Sequence, residues 1–171
     1  VLFQGEKPFP ILPAVDHYAG SEKLMRKALA LQVELGPVFD ITCDCEDGAR
    51  AGAEAEHAEM AASVVLSDDN HFGRVGARIH DITHPHWEQD VDILVSRAGH
   101  RLAFLTLPKP RSAADAARQI ESIRNAEERH GIEREIPVHV LIETHGALRD
   151  AWDIAALDRV ESLDFGLMDF V

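Results

Sequence analysis

PVHVLIETHGAL, residues 137–148, decides how this chain folds. Residues 137–142 are apolar almost throughout, which suits a strand covered on both faces, as in a parallel sheet. Glu143-Thr144-His145-Gly146 follows directly, and an alanine-bearing helical pattern runs over 146–156. A buried strand that delivers ionisable groups at its end and then turns into a helix is one β-α unit.

The unit recurs along the chain. Apolar runs at ILPAV (11–15), VFDITC (38–43), RVGARI (74–79), LAFLTL (102–107) and VESLDFGL (160–167) predict further strands. Ser21 stands at a capping position ahead of Leu24, Ala28, Leu31 and Leu35, which share a helical face, and Gly36-Pro37 stops that helix. Pro85 suits a first helical position before Trp87, Val91, Leu94, Val95 and Ala98, with Gly99 at the end. Ser112 and Asp115 make a capping-box pattern ahead of Ala116, Ile120 and Ile123, closed by Gly131. Residues 49–66 give a weaker, alanine-rich helix. Strands recur roughly every 25–35 residues, the spacing of βα repeats. An open doubly wound sheet and most of a (β/α)8 barrel both fit that series. Open sheets commonly carry a glycine-rich nucleotide turn after the first strand, and none stands here. The expected fold is therefore an α/β (β/α)8 TIM barrel, represented through about the sixth strand.

Composition narrows the partners. The 171 residues suffice for one large core and require no second domain. A formal net charge of −13 argues against nucleic acid and against an anionic membrane surface. No apolar run approaches the roughly 18 residues that span a bilayer, and no secretory pattern opens the sequence. Cys43 and Cys45 lie on one face of one strand, a poor geometry for a bridge, so a reduced, cytoplasmic protein is expected. VLFQG (1–5) resembles a viral 3C-type protease site left after tag removal, the alternative being a native N-terminal arm; residues 6–171 are then the partial barrel domain.

In barrels, functional groups come from the C-terminal ends of several strands. Here the second strand ends in Asp44-Cys45-Glu46-Asp47-Gly48, the third in Arg78 and His80-Asp81, the fourth in Pro108-Lys109-Pro110, the fifth in Glu143 and the sixth in Met168-Asp169. Glu143 and Asp169, two carboxylates from neighbouring strands, suit a hard divalent cation such as Mg²⁺, with substrate oxygens and water completing its shell. An open metal of that kind acts as a Lewis acid on a 2-keto acid or an enolate. Arg78 supplies a permanently charged fork for a substrate carboxylate or enolate oxygen, and Glu46 and Asp47 are placed to orient it. Each residue has a structural reading as well: Glu143 as a helix cap, Arg78 as an ion-pair residue, Asp44–Asp47 as a solvated turn, Lys109 as an exposed tip. The ten histidines show no ligand spacing and read as surface or capping residues, with His17 and His145 at strand ends the exceptions. Ionisable groups at five successive strand ends favour a common site.

DCEDGA (44–49), GARI (76–79), LPKP (107–110), LIETHGAL (141–148) and LDFGLMDF (163–170) resemble the HpcH/HpaI aldolase and citrate lyase family, above all its citrate lyase β-subunit-like branch with the malyl-CoA lyases. The resemblance implies a trimeric or hexameric TIM barrel that makes or breaks a carbon–carbon bond next to a carbonyl. It assigns Mg²⁺ to Glu143 and Asp169, places Arg78 against the substrate carbonyl, and gives Glu46 and Asp47 a supporting role at the catalytic centre. Lys109 and Met168 are expected to touch substrate. Where the family commonly has Arg-x-Asn, this chain has Arg78-Ile79-His80, and Gly48 replaces a common alanine. A full barrel takes about 250 residues, so the chain is expected to be a fragment.

Three functions compete on these residues. One is a Mg²⁺-dependent lyase acting on a malyl- or citryl-type acyl-CoA and its 2-keto acid product, with Lys109, Arg111 and Arg101 as candidates for the carrier's phosphates. A second is a class II aldolase that uses pyruvate without CoA. The third is a non-catalytic barrel subunit, which would bind no metal. A homotrimer or homohexamer is the expected assembly.

Overall fold

The computed structural model describes residues 12–170, so the tag-like residues 1–5 lie outside it. Six strands alternate with helices: β1 (Asp16–Ala19), α1 (Glu22–Leu35), β2 (Asp40–Asp44), α2 (Glu54–Val65), β3 (Val75–Arg78), α3 (Trp87–Ala98), β4 (Leu105–Leu107), α4 (Ala113–His130), β5 (Val138–Ile142), α5 (His145–Arg149), α6 (Ala151–Ala155) and β6 (Val160–Phe165). They form one sheet in the order β1-β2-β3-β4-β5-β6, and each neighbouring pair is parallel. A doubly wound sheet reverses its strand order at a switch point. The unbroken sequential order is that of a barrel wall, and the described fold is five βα units and a sixth strand of one.

The two faces of this wall differ sharply. Ile41, Cys43, Val75, Ala77, Leu105, Leu107, Val138, Val140 and Ile142 are buried in one apolar cluster with the helices. Their strand neighbours carry polar groups that meet one another on the concave side. Thr42 donates to Asp16 at 2.7 Å, Asp44 pairs with Arg78, and the Arg78 guanidinium lies 5.2 Å from the Tyr18 ring centroid. Barrel interiors are ordinarily layered with branched apolar residues, so this lining is unusually polar.

Several elements depart from the sequence reading. The first strand was expected at 11–15; Ile11 lies outside the described residues, residues 12–15 are not strand, and β1 begins at Asp16. Pro13 cannot donate to a ladder, whereas polar Asp-His-Tyr-Ala serves a strand whose inner face is hydrophilic. Helix α1 buries Met25, Ala28, Leu29 and Gln32, while Leu24 and Leu35 are 51% and 57% exposed. Two apolar stripes interleave on that helix, and the buried one contains Gln32, whose Nε2 donates to the Phe39 carbonyl at 2.6 Å. A glutamine on the inner face disguised it. Helix α3 starts at Trp87, two residues after Pro85, but its expected face of Trp87, Val91, Leu94, Val95 and Ala98 is buried. Helix α2 begins at Glu54, and the pattern over 146–156 splits at Asp150 into α5 and α6. The Ser112 hydroxyl accepts from the Asp115 amide and Gly131 closes α4 in the left-handed conformation, as the sequence indicated.

The rotated face of α1 is directly testable. Met25→Ala is expected to cost about 2–5 kcal/mol in urea unfolding, the range for a fully buried methionine. Leu24→Ala should stay within about 0.5 kcal/mol of the parent. Equal losses would mean that the helix is packed in the other register.

Candidate functional site

The C-terminal strand ends deliver a chain of charges. Arg78, at the end of β3, is 7% exposed and must be paired where it stands. Its Nε and Nη2 donate to the two Asp44 carboxylate oxygens at 2.8 Å each, the bidentate fork that planar guanidinium favours. Nη1 contacts Glu46 Oε2 at 2.7 Å, and Nη2 contacts Asp47 Oδ2 at 2.7 Å. Glu46 and Asp47 therefore both reach the arginine that they were expected to orient. Asp44 and Glu46 are shielded, whereas the Asp47 side chain is 66% exposed. Asp44, the bidentate partner, reads in the sequence as part of an acidic turn, and nothing but its place on the inner face of β2 singles it out.

Glu46 also ties β2 to the next strand end. Its Oε1 accepts from Lys109 Nζ at 3.0 Å, and that ammonium lies 3.5 Å from Asp169 Oδ2. Lys109 sits between Pro108 and Pro110 with φ at 49°, a left-handed conformation that costs a non-glycine residue free energy. In that conformation its amide donates to Glu143 Oε1 at 2.8 Å. Glu143 is 4% exposed and stands one residue before Thr144, which is the true cap of α5, so the carboxylate is not a helix cap. Burial pushes its carboxyl up to about 7; the Lys109 amide opposes that rise, and Glu46 and Asp169 add to it. Its second oxygen lies over Gly166, where an added Cβ would come within 2.5 Å of Oε2. Burial also raises the Glu46 carboxyl, against the pull of Arg78 and Lys109.

Glu143 and Asp169 both line a cavity of about 330 Å³, together with Lys109, Arg111, Asp81 and Thr83. Arg78, Glu46 and Asp47 lie beyond that cavity, joined to it through Glu46 and Lys109. Met168, expected to touch substrate, is 87% exposed and does not line it. Arg101, a sequence candidate for the carrier's phosphates, instead precedes β4, at the opposite end of the strands, where it donates to the Leu66 and Asn70 carbonyls. Nor are all the histidines surface or capping residues, because His80 and His139 are buried at 4% and 3% exposure. The cavity's acids offer only oxygen and meet a lysine rather than a thiolate or imidazole, a donor set that fits Mg²⁺. Both free cysteines are buried in the apolar cluster on the far side of the wall.

Two outcomes follow from these pairings. Asp44→Ala strands a buried guanidinium and is expected to cost about 3–5 kcal/mol in urea unfolding. Asp47→Ala, at an exposed partner, should cost less than about 1 kcal/mol. The second concerns His80, whose Nδ1 meets Asp90 Oδ2 at 2.6 Å. Burial lowers its affinity for a proton, but Asp90 prevails and raises it above the ordinary 6.5. A raised folded value gives stability that is complete below pH 6.5 and lost as pH rises through the folded value. The wild type should therefore lose more stability between pH 6 and pH 8 than Asp90→Asn does, and parallel profiles would refute the pairing.

Comparison with known proteins agrees with this architecture. Residues 30–171 match the family described as HpcH/HpaI aldolase/citrate lyase. An L-malyl-CoA/beta-methylmalyl-CoA lyase of Cereibacter sphaeroides is 28% identical over 149 residues, covering 85% of this chain and 46% of that protein. A citrate lyase of Burkholderia xenovorans LB400 superposes with a TM-score of 0.89 at 55% identity, covering 96% of this chain and 52% of that one. The CitE protein of Mycobacterium tuberculosis, solved with magnesium and pyruvate, has a TM-score of 0.65 at 19% identity over 94% of this chain and 57% of its own, and so supports the fold alone. The chain thus spans about half the length of the relatives that it matches. With its parallel wall of six sequential strands and a family match over residues 30–171, this chain belongs to the HpcH/HpaI aldolase/citrate lyase family.

Proposed function

We propose that the full-length protein is a Mg²⁺-dependent carbon–carbon lyase that cleaves or forms a malyl- or citryl-type 3-hydroxyacyl-CoA. The observation that carries this reading is the connected line of groups from Arg78 through Glu46 and Lys109 to Glu143 and Asp169. Cleavage of such a thioester removes the C3 hydroxyl proton and breaks the C2–C3 bond. The electron pair passes into the thioester carbonyl, and the other half leaves as a 2-keto acid. Negative charge thus moves between two oxygen-rich centres, which calls for fixed positive groups on both.

Glu143 and Asp169 would hold Mg²⁺, which supplies Lewis-acid polarisation of the 2-keto acid oxygens. The Lys109 amide fixes Glu143 Oε1 and so orients that carboxylate. Gly166 leaves the space that Oε2 occupies, which any larger residue would fill. Asp44, Glu46 and Asp47 hold the Arg78 fork in place before substrate arrives, so that little reorganisation is required when charge develops. Lys109 is a second cation, for the substrate's carboxylate or the carrier's phosphates. Two buried free thiols suit a reducing, cytoplasmic setting. Among the described residues, no helix is long and apolar enough to cross a membrane. Trp152, 89% exposed on α6, offers apolar surface for homo-oligomer assembly.

The test is turnover of malyl-CoA by the full-length enzyme with Mg²⁺ and after chelation. Glu143→Gln and Asp169→Asn are each expected to lower kcat/KM by at least about a hundredfold, and Arg78→Lys by about 10²–10³. Wild-type rates in the carboxylate variants without added magnesium would exclude this mechanism. Turnover of pyruvate and an aldehyde, with no CoA thioester accepted, would assign the class II aldolase reaction instead.

A further inference from the structure

Beneath the strand ends, the concave face holds a second group of ligand-bearing side chains that the lyase reading does not use. Asp16 on β1, His139 on β5 and Asp164 on β6 bring one ligand atom each within 4.8 Å of one another. His139 is 3% exposed, and its ring stacks on Phe104 with centroids 3.9 Å apart and planes 9° from parallel, which fixes where both nitrogens point. Nε2 meets Glu161 Oε2 at 3.3 Å. Nδ1 is buried and makes no hydrogen bond among the described residues, and the same holds for Asp164 Oδ2, which faces it at 3.8 Å. The other Asp164 oxygen accepts from Ser162 at 2.6 Å, and Asp16 accepts from Thr42 at 2.7 Å.

Buried polar atoms are ordinarily satisfied, so two orphans that face each other require an explanation. At 3.8 Å they are too far apart for a hydrogen bond. Two ligands bonded to one cation at about 2.0–2.2 Å stand at most about 4.4 Å apart, so this pair has a separation that a shared ion would give. Asp16, from the opposite edge of the sheet, brings a second carboxylate to the same point. Two carboxylates and a neutral imidazole balance a divalent charge.

We propose that Asp16, His139 and Asp164 form a second divalent-cation site inside the barrel, distinct from the Glu143–Asp169 pair. Its imidazole favours a transition ion of the Mn²⁺-to-Zn²⁺ series over Mg²⁺, which prefers an all-oxygen shell. The ion links β1 to β5 and β6, the two sides of the wall, and so holds its curvature. Its chemistry is structural and independent of the reaction at the strand ends.

Mn²⁺ titration of the full-length protein, read by pulsed electron paramagnetic resonance, separates the sites, because only the interior one has a nitrogen ligand. The wild type should bind two ions per chain, one of them with nitrogen modulation. Glu143→Gln should leave a single nitrogen-coupled ion, and His139→Gln a single ion without it. Asp164→Asn keeps the shape and the Ser162 contact, and should weaken the interior site by at least about tenfold. A Glu143→Gln protein with no nitrogen-coupled Mn²⁺ overturns the proposal, and so does modulation that survives His139→Gln.

Discussion

Arg78 is a permanent cation placed where water barely reaches, and the strand ends are organised around keeping it paired. An isolated guanidinium at that depth would cost several kcal/mol, more than most single contacts return. Asp44 meets it with both oxygens from the adjacent strand, in register with it across the β2–β3 ladder. Glu46 then comes under two demands, Arg78 on one side and Lys109 on the other, and this carries the network from the third strand end to the fourth. The constraint continues through the backbone, since Lys109 must adopt a left-handed conformation to turn its amide toward Glu143. Strain at one residue is offset by a charge-assisted hydrogen bond to a buried carboxylate.

A division of labour between the two faces of the wall makes such a network tolerable. Apart from His17 on β1, the described outer face is apolar, and from β2 to β5 it packs against the helices, so the hydrophobic drive of folding is concentrated there. The inner face is then free to carry Asp16, Thr42, Asp44, Arg78, His139 and Asp164, which meet one another across the concavity. Such polar groups confer specificity more than stability, because each is worth little when paired and costs much when it is not. Function and strand geometry are coupled for the same reason: a one-residue slip in β2 would bury Cys43 beside Arg78 and turn Asp44 into the apolar cluster.

What the sequence disclosed follows from the same division. Strands whose outer residues are strongly apolar, β2, β3 and β5, were placed within a residue or two, and the residues just past them marked the strand ends. Strand β1 escaped because its residues, Asp16–Ala19, serve the polar face and carry no apolar run, while the proline-containing ILPAV mimicked one. Periodicity locates helix α1 but not its buried face, since Gln32 is held inside by one hydrogen bond to a carbonyl that periodicity does not reveal. Buried His80 and His139 were beyond reach for a similar reason. Each is paired with an acid on a later element, Asp90 of α3 for one and Glu161 of β6 for the other, and only the tertiary fold shows those contacts. Asp44 looks like one acid among three, although its strand register alone makes it the bidentate partner.

The pairing at Arg78 also bears on how the proposed reaction would select its substrate. A guanidinium has five N–H donors. Asp44 takes the one on Nε and one on Nη2, Asp47 takes the other on Nη2, and Glu46 engages Nη1. Glu46 Oε2 meets Nη1 as an ion pair and accepts no hydrogen bond among the described residues, so the remaining donors all stand on Nη1, and a carboxylate cannot bridge the two terminal nitrogens. Of the three acids, Asp44 and Glu46 are buried, and releasing either would leave a charge without solvent. Asp47 is the exposed member, and water readily solvates it once detached. A substrate anion that displaces Asp47 gains a donor on the second terminal nitrogen at little cost, whereas displacing Asp44 would leave a buried charge unpaired. In the proposed lyase, therefore, the fork presents its Nη edge, and preference falls on a small planar carboxylate able to reach both nitrogens from the side that Asp47 vacates.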